Sequence, residues 1–283
     1  MIISGTQLAK ELKQDVARRV EEVKAKYGRA PHLVVILVGE DPASQSYVKG
    51  KGKDAEEVGF KSTTIRRPAD ITEEELLGMI AELNADDTVD GVLVQLPLPR
   101  HINEDKVIEA IAKEKDVDGF HPANVASLWQ KLPCTLPCTP KGIIKMLDKA
   151  GVEIEGKKAV VIGRSNIVGL PAAKLLMDRN ATVTVAHSRT KDLAKVASEA
   201  DILVVAIGRP RFVTADMVGE GAAVIDVGVN RDPETGKLCG DVDYEACKDK
   251  ASVITPVPGG VGPMTRACLM ENTLECFLRK MEG

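Results

Sequence analysis

The chain has 283 residues, 44% of them hydrophobic and 28% charged. That balance excludes a disordered polymer and suits one large or two ordinary domains. A formal net charge of −4 excludes a general nucleic-acid binder held by bulk charge, and no apolar run reaches the roughly 18 residues that a membrane span needs.

The first stretch, MIISGTQLAKELKQDV, reads as a short strand followed by an amphipathic helix, without the apolar core of a secretory signal. HLVVILVG (32–39) is a buried strand, Ser44 to Val58 a helix, and FKSTTIRR (60–67) a second strand. Thr72 opens T-E-E-E, a helix start with acids in its first turn, and that helix runs to about Asn84. GVLVQLPLP (91–99) is a third strand stopped by its prolines, and Asn103 to Lys113 another helix. Residues 118–140 are rich in proline and read as irregular, with Pro140 then starting the helix GIIKMLDKA.

A second alternating series follows. Strands are expected at 158–163, 181–187, 201–208, 222–228 and 252–257, with helices at Leu170–Arg179 and Asp192–Ala200. Pro263 opens a long final helix that runs to about residue 281. The fold class is therefore α/β, two domains built on mostly parallel sheets with helices on their faces. Six scattered cysteines form no C-x-x-C pair and complete no zinc pattern. Reduced thiols in the cytoplasm, and no metal, are the expectation.

Three features carry chemistry. The first is SQSYVKGKGKDAEEVGF (44–60), which crowds Lys49, Lys51 and Lys53 together. At roughly 100° per residue, Ser44, Tyr47, Lys51, Ala55 and Val58 share one helix face, while Lys49 and Lys53 lie opposite. A lysine on an apolar face either snorkels to water or becomes a group able to move protons. Gly50 and Gly52 weaken the helix, each by about 0.5–1 kcal/mol. The second feature is a pair of polar residues near strand ends, Gln95 in the apolar run 91–99 and Asp118 in KDVDG (115–119). In parallel sheets ligands collect at the carboxyl ends of strands.

The third is a glycine turn, Gly163-Arg164-Ser165-Asn166-Ile167-Val168-Gly169, between a strand and a helix. It departs from G-x-G-x-x-G, yet it begins the first βαβ unit of the second series, where a helix N-terminus can hold a pyrophosphate. No acid stands at the end of the next strand, which closes in His187-Ser188-Arg189-Thr190. Arg164, Arg189 and the hydroxyls there suit a 2′-phosphate, so the expected cofactor is NADP. Gly151 to Lys158 nearly spells a P-loop, but Lys158 stands where Ser or Thr must hold Mg²⁺ and the segment precedes its strand. Finally, PVPGGVGPMT (256–265) constrains the backbone ahead of the last helix, as close approach to a flat ligand would require.

Read together, S-x-x-Y-x-x-x-K at Ser44, Tyr47 and Lys51, VQLPLP at 94–99, KDVDG, GRSNIVG at 163–169 and TPVPGGVGPMT at 255–265 closely resemble the methylenetetrahydrofolate dehydrogenase/methenyltetrahydrofolate cyclohydrolase family over essentially the whole chain. The resemblance implies NADP⁺-dependent oxidation of 5,10-methylenetetrahydrofolate to the 5,10-methenyl compound, then hydrolysis to 10-formyltetrahydrofolate in the same cleft. It implies a folate-binding domain over residues 1–139 with the last helix (264–283) packing back on it, and a Rossmann-type NADP domain over 140–263. It makes Lys51 the main catalytic group, Tyr47 a residue that positions the folate, and Gln95 a hydrogen-bond partner of Lys51. It gives Asp118 the N–H edge of the pterin and Ser44 a supporting role. Gly163, Arg164, Ser165 and Ser188 would bind NADP, with Val229 near the nicotinamide end and Pro258, Gly259 and Gly260 lining the cleft. A homodimer is also implied. Two alternatives are another two-domain NADP oxidoreductase of the shikimate-dehydrogenase type and an NADP-binding sensor without catalysis. The first leaves Tyr47 and PGGVGPMT unexplained, and the second needs no inward lysine.

Overall fold

The computed structural model describes residues 1–283. The chain forms two compact units. The first comprises Lys10–Cys138 and Arg266–Gly283, the second Met1–Ala9 and Thr139–Thr265. Grouping Met1–Ala9 with the second unit departs from the expected assignment of residues 1–139 to one domain. The cause is local pairing: Ile3 N donates to Ile254 O at 3.0 Å and Thr6 N to Gly259 O at 3.0 Å. The predicted N-terminal strand is accordingly a single parallel bridge between Ile2 and Ile254. No helix is long and apolar enough to cross a membrane.

In chain order the elements of the first part are α1 (Gly5–Tyr27), β1 (His32–Val38), α2 (Pro42–Glu57), β2 (Lys61–Arg67), α3 (Glu73–Ala85), β3 (Gly91–Val94), α4 (Glu104–Ala110) and α5 (Pro122–Trp129). β1 lies at the centre of a parallel sheet of order β2-β1-β3. All seven of its residues are buried, as a strand covered on both faces must be. Side chains alternate along it. Val34, Ile36 and Val38 enter a cluster with Ile71, Leu76, Ile80, Val107 and Ile111 beneath α3 and α4. Each such side chain removed from water is worth about 1.5–3 kcal/mol. β2 is an edge strand and shows Lys61, Arg66 and Arg67 to solvent, charges that discourage further pairing.

α3 opens with the predicted acidic first turn and a full capping box. Thr72 Oγ1 accepts from Glu75 N at 3.1 Å, and the Glu75 carboxylate accepts from Thr72 N at 2.9 Å. Its other end is held by Lys115, whose ammonium donates to the carbonyls of Leu83, Asn84 and Asp86 at 2.7–2.9 Å. β3 stops at Val94, short of the predicted residue 99, because Pro97 and Pro99 carry no N–H for a ladder. The Leu96–Pro97 and Val257–Pro258 peptides are cis. α5 lies in the segment expected to be irregular. Pro122 occupies its first turn, and His121 Nδ1 accepts from Ala123 N at 3.0 Å as the cap.

The rest of the chain forms α6 (Cys138–Lys149), β4 (Lys158–Ile162), α7 (Gly169–Asp178), β5 (Thr182–Ala186), α8 (Leu193–Ser198), β6 (Ile202–Val205), β7 (Ala223–Asp226), β8 (Asn230–Arg231), β9 (Leu238–Cys239), α9 (Tyr244–Cys247), β10 (Val253–Ile254) and α10 (Val261–Glu282). The antiparallel pair β8–β9 and the short α9 were not expected from the sequence. The second unit carries a five-stranded parallel sheet of order β10-β7-β6-β4-β5. From β4 the chain moves outward to β5, then returns to place β6 on the other side of β4. That reversal is the switch point where an open α/β sheet parts to admit ligands. Val160, Ile162, Leu203, Val205 and Val224 pack there with Val213, Val218 and Val242 in one buried cluster.

The C-terminal part of α10 belongs to the first unit. Phe277 meets Tyr27 of α1 edge-on, with ring centres 5.7 Å apart, and the Arg29 guanidinium lies over the Phe277 ring at 4.7 Å. The final helix thus packs back on the first unit, as expected.

Candidate active site

In the first unit α2 starts at Asp41, whose carboxylate accepts from Ser44 N at 2.7 Å, with Pro42 in the first turn. The helix then sorts its lysines. Lys49 and Lys53 are exposed, whereas Lys51 retains only 8% exposure. Ser44, Ala55 and Val58 are buried on the same face and Tyr47, one turn before Lys51, is half-buried. Gly50 has a visible use. A Cβ there would lie 2.8 Å from Arg266 Nη1. Arg266 reaches past it to donate to Asp54 at 2.7 Å, and Lys13 pairs with the other oxygen of the same carboxylate at 2.7 Å.

Lys51 Nζ donates to Gln95 Oε1 at 3.0 Å. Gln95 directs that oxygen by donating its own Nε2 to Leu96 O at 2.7 Å, just past the end of β3. The two acids of KDVDG diverge. Asp116 is 3% exposed and its carboxylate accepts from Gly119 N at 3.0 Å, His121 N at 2.8 Å and Asn124 Nδ2 at 2.8 Å. It shapes the turn. Asp118 has its carboxyl beside Cys138 Sγ, at 3.9 Å. Burial pushes the Asp118 carboxyl above its ordinary pKa, the Lys51 charge opposes this, and Asp116 adds to it. From α10, Asn272 Nδ2 donates to Val117 O at 2.9 Å and Leu136 O at 2.8 Å, holding the backbone just before Asp118. Lys51, Gln95 and Asp118 thus form one electrostatically linked group, with Ser44 and Tyr47 on the lysine's helix face.

In the second unit the glycine turn follows β4. Gly163 has φ +125°, and a Cβ on it would sit 2.2 Å from Ala206 O. A Cβ on Gly169 would sit 2.3 Å from Gly163 O. Both positions require glycine. Ser165 Oγ accepts from Val168 N at 3.2 Å and Gly169 N at 3.3 Å, so it caps the start of α7. Arg164 is exposed beyond β4, and Ser188 and Arg189 are exposed beyond β5, its neighbour in the sheet. This cradle of close-approach glycines, a helix start and exposed cations fits a dinucleotide bearing a 2′-phosphate. Val229 is 47% exposed beyond β7. Pro258 is exposed, and Gly259 has φ +100°. Gly260 packs so tightly on Gly5 that a Cβ on the latter would lie 1.7 Å from Gly260 O. Pro258, Gly259 and Gly260 belong to the second unit.

Three buried acids of the second unit, Asp226, Asp232 and Asp241, were not singled out in the sequence. Asp226 ends β7 at 2% exposure, and its carboxylate accepts from Gly228 N, Asp241 N and Val242 N at 2.9–3.0 Å. Burial pushes its pKa up to about 7 against the pull of those backbone bonds, and neighbouring Asp241 adds to the rise. The sequence offered one signal, an acid closing the apolar run AAVIDVG.

Two family models match the chain. The tetrahydrofolate dehydrogenase/cyclohydrolase catalytic domain matches residues 3–118, and the NAD(P)-binding domain of the same family matches residues 137–281. The bifunctional protein FolD of Streptococcus pneumoniae serotype 4 is 58% identical over 281 residues, 99% of this chain and 98% of that protein. The crystal structure of the bifunctional FolD dehydrogenase/cyclohydrolase of Campylobacter jejuni superposes with a TM-score of 0.95 at 49% identity, covering 98% of each chain. The Trypanosoma brucei dehydrogenase-cyclohydrolase, solved with NADP cofactor and inhibitor, gives a TM-score of 0.96 at 40% identity, covering 100% of this chain and 99% of that one.

Proposed function

The chain belongs to the tetrahydrofolate dehydrogenase/cyclohydrolase family and is a bifunctional enzyme of one-carbon folate metabolism that uses NADP, and we propose that the Lys51 group performs its folate chemistry while the glycine turn holds its cofactor. The observation that carries this reading is the buried Lys51 bonded to Gln95, with Asp118 under its charge.

The substrate is 5,10-methylenetetrahydrofolate. NADP⁺, when bound, accepts the hydride from the carbon that bridges the two folate nitrogens. Asp118 accepts from the N–H edge of the pterin and Tyr47 positions the ring system, so that the bridging carbon is held in one place. Ser44 supports that face of α2. Loss of the hydride leaves the bridging carbon amidine-like and cationic, open to water. Acting in its neutral amine form, Lys51 takes a proton from the attacking water as the C–O bond forms. It then returns a proton to the ring nitrogen as the C–N bond breaks, giving 10-formyltetrahydrofolate with net release of one proton. Gln95 keeps the amine aimed through both steps.

On the cofactor side, Gly163 and Gly169 allow backbone to approach the pyrophosphate, Ser165 steadies the start of α7, and Arg164 and Ser188 meet the 2′-phosphate. Val229 meets the nicotinamide end, and Pro258, Gly259 and Gly260 line the folate substrate's cleft. Residues 1–139 with 264–283 serve folate, and residues 140–263 serve NADP. The working species is a cytoplasmic homodimer, which sedimentation at micromolar concentration checks.

The deciding assay supplies methylenetetrahydrofolate with NADP⁺ and follows NADPH together with methenyl absorbance. Both products are expected. A folded sample that yields no NADPH sinks the reading.

A further inference from the structure

Asp241 has no exposed surface, yet no cation of the second unit pairs with it. N–H dipoles surround it instead. One oxygen accepts from Ile207 N at 2.7 Å and Gly208 N at 3.0 Å. The other accepts from Arg209 N at 2.8 Å and Asn230 Nδ2 at 2.8 Å. Its own N–H donates to Asp226 at 2.9 Å. A Cβ on Gly228 would lie 2.2 Å from this carboxylate, so the loop beyond β7 also closes around it.

The orientation of three consecutive amides has a consequence. In a trans peptide the N–H and the preceding C=O point in opposite directions. Amides 207, 208 and 209 turned toward Asp241 therefore send the carbonyls of Ala206, Ile207 and Gly208 the other way. Ala206 O is the atom that a Cβ on Gly163 would strike at 2.2 Å. Ala206 O thus faces the glycine turn across the β4–β6 switch point, where the sheet admits its ligand, and the carbonyls of Ile207 and Gly208 point away from Asp241 beside it.

We infer that Asp241 is a positioning residue for hydride transfer, fixing the loop after β6 so that its carbonyls face the cofactor crevice as acceptors for uncharged donors such as ribose hydroxyls or a carboxamide. The inference rests on the dinucleotide reading of this unit. Asp241 acts only through the loop backbone. Asn230, at the start of β8, ties the loop beyond β7 to the same carboxylate, so both walls share one anchor.

The test uses the full-length enzyme and reads both activities. Asp241→Asn keeps the size of the side chain but sets an amide against two backbone N–H groups. The KM for NADP⁺ is expected to rise ~10- to 100-fold, the range set by unsatisfied buried donors, while hydrolysis of added methenyltetrahydrofolate, which needs Lys51 and no cofactor, stays within about twofold, the equivalent of ~0.4 kcal/mol. A parallel fall in both activities assigns Asp241 to folding alone and overturns the inference, as does an unchanged KM. Should Asp241→Asn not fold, Asn230→Ala removes one donor and leaves the acid in place. It must still raise the NADP⁺ KM, by about threefold to tenfold, with hydrolysis preserved, and an unchanged KM overturns the inference. Wild-type enzyme without NADPH formation is a separate result that fails the cofactor reading itself.

Discussion

The two units place their chemistry in different parts of the chain. In the proposed reading, the first unit puts its function on side chains: an amine at Lys51, an amide at Gln95 and a carboxyl at Asp118. The second would put it on backbone bared by Gly163 and Gly169 and held by Asp241, which has no exposed surface. Proton transfer needs a titratable group that can change charge, so a side chain must be present at the reacting atom. Holding a pyrophosphate needs many aligned N–H dipoles and little else, which backbone supplies once its conformation is set. Substitutions should therefore erase chemistry in the first unit and loosen geometry in the second.

The largest expected effect sharpens that contrast. Lys51→Met should lower cyclohydrolase turnover by ~10²- to 10⁴-fold, the usual worth of a positioned acid–base group, with the KM for NADP⁺ near that of wild type. Methenyl hydrolysis that persists in this variant would remove Lys51 from its role. Next comes Asp226, whose carboxyl burial pushes up to about 7 from an ordinary value near 3.8. Between those values the folded chain holds a proton that the unfolded chain has lost. Its contribution to stability is therefore present at low pH and declines as pH rises from about 4 to about 7. The span is at most on the order of 4 kcal/mol at ~1.4 kcal/mol per pKa unit. Asp226→Asn should flatten that slope in denaturant titrations run at several pH values, and an unchanged slope would count against a neutral Asp226.

Arg164→Ala should weaken NADP⁺ by about 1.5–3 kcal/mol, or roughly ten- to a hundredfold, the value of charged hydrogen bonds to phosphate. NAD⁺, lacking the 2′-phosphate, should lose far less, and equal losses would break the assignment. The smallest effect belongs to Asn272→Ala in α10, which leaves the buried carbonyls of Val117 and Leu136 without this donor. A stability loss of about 1–3 kcal/mol is expected, with KM rising for folate more than for NADP⁺. A selective rise for NADP⁺ instead would show that α10 does not serve the Asp118 turn.

Much of this was legible in the chain because helical and strand periods are local. The split that buries Lys51 and exposes Lys49 and Lys53 follows from 3.6 residues per turn, and the βαβ series follows from alternating apolar runs. Other features were hidden for specific reasons. α5 went unread because its cap is a histidine ring, not one of the usual Ser, Thr, Asp or Asn caps. β3 read too long because VQLPLP looks apolar while its prolines cannot join a ladder. Asp241 gave no signal because three of its four partners are backbone amides 32–34 residues earlier.

KDVDG shows where the division lies. The sequence by itself determined that two acids flank one valine ahead of Gly119, that a turn follows, and, through the company of the other motifs, which family this is. Asp118 was singled out by its place before the irregular segment and by the family resemblance, not by any difference in chemistry from Asp116 two residues earlier. Tertiary structure supplied that difference. It committed Asp116 to Gly119, His121 and Asn124, and it left Asp118 desolvated under the charge of Lys51. Hydrogen-bond satisfaction and burial depend on atoms brought in from elsewhere in the chain, so no local pattern can encode them.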